Sequence, residues 1–105
     1  MQERGLSIKM EKPVYVIVHG AAILEFKHVA SGILLEKINE LERILREEEK
    51  FEINDDSILS VPKGLPKGKE VRVCGGLRGI CVANQLHQLL EADYDASIYD
   101  PATLP

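Results

Sequence analysis

Glu70–Glu91, EVRVCGGLRGICVANQLHQLLE, decides the fold class of this chain. Val71 and Val73 alternate as β-branched residues in a short strand that ends at Cys74. Gly75 and Gly76 follow, and let the backbone turn sharply and approach another group closely. From about Leu77 the apolar residues Ile80, Ala83, Leu86 and Leu90 recur at helical spacing, which predicts a helix to about Ala92. The unit is a strand, a glycine turn and a helix.

A second unit of the same kind lies upstream. Val14–Val18, VYVIV, is the strongest strand signal in the chain, and it is apolar on both faces. That suits a central parallel strand covered on both sides. His19 and Gly20 end it. Ala21 to Ala30 is apolar and helix-compatible, with an interruption at Ser31-Gly32. A firm helix is predicted from Ile33 to about Lys50, because Leu34, Ile38, Leu41 and Leu45 form one apolar stripe among charged residues. Glu42 and Arg46 stand in the favourable order for an ion pair one turn apart.

Between the two units, Phe51-Glu52-Ile53 reads as a strand and Asn54-Asp55-Asp56 as a turn. Ser57 to Val61 is a second strand candidate. Pro62 to Lys69, PKGLPKGK, reads as an exposed basic connection, with a lid or an anion contact as alternatives. After the second helix, Ala96 to Tyr99 forms a last short strand, ended by Asp100-Pro101, and residues 101–105 form a tail. Residues 1–12 read as a loosely ordered lead-in, in which Leu6, Ile8 and Met10 alternate as in a short edge strand. Strands that alternate with long helices imply right-handed crossovers. The expected fold is therefore a single α/β domain over residues 1–105. It is a small three-layer sandwich, with a mostly parallel sheet of four or five strands and helices on both faces.

Composition narrows the classes of function. A chain of 105 residues with 45% hydrophobic and 29% charged residues is ordinary globular material for one domain. A net charge of -4 argues against a nucleic-acid or anionic-membrane surface. No apolar run approaches the length of a membrane span. The charged start MQERGLSIKMEK lacks the apolar centre of a signal peptide, so a cytoplasmic location is expected. Two cysteines are too few for a disulfide framework or for a structural zinc site, and no metal or cofactor is implied.

In such sheets a ligand binds beyond the carboxyl ends of the strands, where the strand order switches. His19-Gly20, Cys74-Gly75-Gly76 and Asp100 all stand at predicted strand ends, so parallel strands would gather them on one edge. Cys74 is the candidate nucleophile, with His19 as a candidate general base. A thiol before a helix N-terminus faces unpaired amides and the positive end of the helix dipole, which lowers its pKa. The ordinary alternative is a small buried cysteine that ends a core strand. Gly75, Gly76 and Arg78 form a candidate anion site, although neither a P-loop nor a GxGxxG pattern is present. Gly20 and Asp100 are candidate neighbours, and a Cys74–His19–Asp100 triad would need three strand ends to converge. Cys81, inside the helix and outside any CxxC spacing, reads as packing.

Two segments resemble landmarks of a known family. VYVIVHGAAI (14–23) and VRVCGGLRGI (71–80) resemble the apolar strand with its histidine-glycine turn, and the cysteine-terminated strand, of the small DsrE/DsrF-like sulfur-relay proteins. The resemblance implies a three-layer α/β fold and self-association into dimers, trimers or hexamers. It also implies, as in some members, a cysteine that accepts sulfur as a persulfide, with a sulfur-donor or acceptor protein as partner. By position that role falls on Cys74. The alternatives are a non-catalytic module that binds a small anion or nucleotide at the same turn, and a structural subunit of an oligomer.

Overall fold

The two valine-rich segments pair as central strands. The computed structural model describes residues 12–55 and 57–105, so the alternating Leu6, Ile8 and Met10 lie outside the described residues. In chain order, β1 is Val14–Val18, α1 is Gly20–Leu24, and a 3-10 turn spans Lys27–Val29. Then come α2 (Gly32–Glu47), β2 (Lys50–Ile53) and a second 3-10 turn (Ser57–Leu59). β3 (Glu70–Gly75), a π-helical turn (Arg78–Val82), α3 (Ala83–Glu91) and β4 (Asp95–Thr103) complete the order. The sheet order is β2-β1-β3-β4, and every neighbouring pair is parallel.

The two-residue period of β1 builds both halves of the core. Val14, Val16 and Val18 pack with Val71 and Val73 against Val82 and Leu89 on one face. Tyr15 and Ile17 pack with Cys74 against Ile38, Leu41 and Ile44 of α2 on the other. The chain is thus a three-layer α/β domain with helices on both faces of a four-stranded parallel sheet, as the sequence predicts.

Six local differences are informative. α2 starts at Gly32, which takes φ +59°, and stops at Glu47, because Lys50 already pairs with Tyr15 in the sheet. Glu42 bonds Lys27 at 2.6 Å rather than Arg46. Ser57 to Val61 is not a strand. The Asp55 carboxylate accepts from the Ser57 amide at 3.0 Å, and the Gln85 amide donates to the carbonyls of Ile58 and Ser60, both at 3.0 Å. These bonds use backbone groups that a strand would need.

The basic loop is pinned. Leu65 is buried, its carbonyl accepts from the Tyr94 hydroxyl at 2.9 Å, and the Lys67 ammonium stands 4.2 Å from the centre of the Tyr94 ring. In the second helix the sealed positions are Val82, Gln85 and Leu89, while Ile80 and Leu90 are exposed. The π turn, in which the Val82 amide reaches back to the Leu77 carbonyl, takes the first residues out of α-helical phase. Finally, β4 does not stop at Tyr99, and the expected tail is largely strand. It runs through Pro101 to Thr103 with a register shift against β3, which an edge strand tolerates. Ala102 and Thr103 are sealed.

Candidate functional site

From β1 the chain crosses to β2 on one side, then returns past β1 to β3 on the other. The order therefore switches between β1 and β3, and in such sheets ligands bind beyond the carboxyl ends at that place. β1 delivers His19 and Gly20 to it, and β3 delivers Gly75, Gly76 and Leu77. His19 takes the left-handed conformation at φ 57°, and its amide donates to the Ile53 carbonyl at 2.6 Å. The Asn54 side chain accepts from the Ala21 amide at 3.3 Å, which ties the end of β2 to the same place. Next to it, the bonds from Ser57 and then the nearby His19 hold the Asp55 carboxyl below the usual carboxylate range.

Gly75 is required at the centre of this edge. Its φ is +106°, and a Cβ there would collide with the Val18 carbonyl and stand 2.8 Å from the Val18 nitrogen. The Gly76 amide donates to the Val18 carbonyl at 3.1 Å, and the Arg78 amide donates to the Leu104 carbonyl at 2.8 Å. The Leu104 amide in turn donates to the Gly75 carbonyl at 2.8 Å. The Arg78 guanidinium bonds the Asp100 carboxylate, which lies 3.8 Å from the Lys37 ammonium. The expected anion cradle is corrected on these points. The amides of Gly76 and Arg78 close the end of the sheet, and the arginine has a carboxylate partner of its own.

Cys74 needs the larger correction. It sits level with Ile17, one residue short of the Val18–Gly75 end of the pairing. Strand alternation turns its side chain to the α2 face, where it is sealed between sheet and helix. Burial, and then the charge of Glu40, push its thiol up to about 12. The sequence predicted a lowered value. The helix amides that would lower it lie beyond the strand end, whereas the side chain points sideways into the core. With Cys74 sealed and Asp100 bonded to Arg78, the Cys74–His19–Asp100 triad does not assemble.

Cys81 packs against the core, as the sequence reading expects. It lies within the Arg78–Val82 turn, is half-buried, and rests against the α3-face core.

The fold and edge define the class: a small parallel α/β domain with its strand-order switch between β1 and β3. Comparison with known proteins adds no relative, since no family model, no curated protein and no solved structure matches the chain. No helix among the described residues is long and apolar enough to cross a membrane.

Proposed function

We propose that the chain is a small-molecule-binding domain whose ligand occupies the crevice beyond β1 and β3. The strand order β2-β1-β3-β4 supports this reading, because its switch point lies between His19-Gly20 and Gly75-Gly76-Leu77. The test is an amide-resolved NMR titration of the full chain with inorganic phosphate and, separately, adenosine monophosphate. These probes separate a bare anion from a nucleotide. Shift changes centred on His19, Gly76 and Leu77 support the reading. Changes at none of these positions with either probe contradict it.

Sulfur handling is the second reading, carried by Cys81 instead of Cys74. One observation favours it: Cys81 is a half-buried free thiol in the turn that follows β3, whereas Cys74, on which the resemblance to a sulfur-relay segment places the role, is sealed. The Cys81 thiolate attacks the outer sulfur of a donor persulfide. A Cys81 persulfide forms, the donor S–S bond breaks, and the donor leaves as a thiolate. Mass spectrometry after incubation with a persulfide donor is expected to find added sulfur on Cys81 and none on Cys74. An unmodified Cys81 rejects the transfer reading.

Self-association belongs to the same proposal. Phe26, Val29, Ile33, Leu77 and Ile80 are exposed apolar side chains on the connections that leave the carboxyl edge. The cytoplasmic setting is also part of it, and rests on both cysteines being free thiols.

A further inference from the structure

β2 is an edge strand, and β1 is its one sheet neighbour among the described residues. The carbonyls of Glu49 and Ile53 accept from the amides of Tyr15 and His19 at 2.9 and 2.6 Å. Residues 49, 51 and 53 therefore present their peptide groups to β1, and by alternation those of Lys50 and Glu52 face outward. Among the described residues, neither the Lys50 ammonium nor the Glu52 carboxylate has an ion-pair partner. Nearby charges are satisfied: Glu49 bonds Lys69 at 2.8 Å, and Glu70 bonds Arg72 at 3.1 Å.

Lys50-Phe51-Glu52 is self-complementary when two copies run in opposite directions. We propose that β2 pairs antiparallel with β2 of a second copy of this chain, about a two-fold axis at Phe51. In that register Lys50 of each copy lies opposite Glu52 of the other. Both residues occupy hydrogen-bonded positions, so their outward amides and carbonyls close the ladder. Their side chains stand on one face as opposite charges directly across the joint. Phe51 meets its counterpart at the non-hydrogen-bonded position, where side chains approach most closely.

The other face has room for that contact. Phe51 is half-buried against the α3-side core and lines a cleft of about 400 Å³ together with Ile53, Ser57, Val61 and Pro62. The aromatic ring of the second copy enters this cleft. Pairing joins the two four-stranded sheets into one and covers an edge that would otherwise template random association. This interface is separate from the apolar surface at the carboxyl edge and uses different residues.

The test is a sedimentation dilution series on the full chain, with circular dichroism as a check of folding. It compares wild type, Lys50→Glu, Glu52→Lys, and an equimolar mixture of the two variants. Each single variant sets like charges opposite one another at both ends of the joint, and is expected to weaken the dimer by about tenfold or more. The mixture restores opposite charges across the joint and is expected to regain wild-type affinity. Variants that dimerise as wild type does, or a mixture that fails to recover, overturn the β2 interface and leave self-association at the carboxyl edge standing. A wild-type chain that stays monomeric throughout the series overturns both.

Discussion

Cys74 and Cys81 stand seven residues apart in one segment and occupy opposite kinds of surroundings. Cys74 is the last inward-facing residue of a central strand, sealed on the α2 side. Cys81 lies past the turn, on the α3 side, and reaches solvent in part. The difference shows that nearness to a helix N-terminus in sequence does not set a thiol's environment. What decides is the direction the backbone gives the side chain. A strand residue one step before the turn points across the layers into the α2 side, whereas Cys81, in the first turn beyond it, rests against the α3-side core.

The turn between the cysteines is where the comparison breaks most completely. Gly75→Val places a β-branched residue at φ +106° against the Val18 backbone. It is expected to cost about 4 kcal/mol or more in chemical denaturation, enough to unfold much of the population. Gly79→Ala, where a Cβ meets nothing within 4 Å, is expected to change stability by less than about 1 kcal/mol.

The next effect reports on the sealed thiol through pH. The folded-state value of Cys74 is raised from an ordinary 9.0 to about 12. Its contribution is therefore complete below pH 9.0 and is lost as the pH climbs toward about 12, because the unfolded chain releases that proton first. The loss amounts to up to about 4 kcal/mol. Denaturation curves at rising pH are expected to fall more steeply for wild type and Cys81→Ala than for Cys74→Ala. Equal slopes for all three contradict the sealed thiol.

At neutral pH the contrast is smaller. Cys74→Ser puts a hydroxyl into an apolar site and is expected to cost about 1–3 kcal/mol, whereas Cys81→Ser stays within about 0.5 kcal/mol. Smaller still is Arg78→Ala. Its pair with Asp100 lies open to water, with the two side chains 47% and 61% exposed, so the expected loss is below about 1 kcal/mol.

Much of this architecture was legible in the sequence. The apolar run of β1, the stripe through Ile38 and Leu41, and the glycine pair where β3 ends fix the layers and the carboxyl edge. What stayed hidden depends on contacts between distant residues. Ser57–Leu59 turns because Asp55 caps it and Gln85 claims its carbonyls, and no local pattern records the glutamine twenty-five or more residues away. β4 extends through Pro101 because it lies at the edge, a fact set by strand order. At the candidate site, His19 and Gly75-Gly76 do stand where β1 and β3 end, whereas Asp100 lies inside β4. The orientation of Cys74, and the internal bonds of Gly76 and Arg78, follow from pairing register rather than from composition.

Alkylation of the native chain tests the central claim most directly. Iodoacetamide labelling at neutral pH, followed by peptide mass spectrometry, measures the rate at each cysteine. The structure predicts that Cys81 is modified while Cys74 stays protected until denaturant is added. Equal rates in the native chain, or faster labelling of Cys74, would contradict the burial of Cys74 between the sheet and α2.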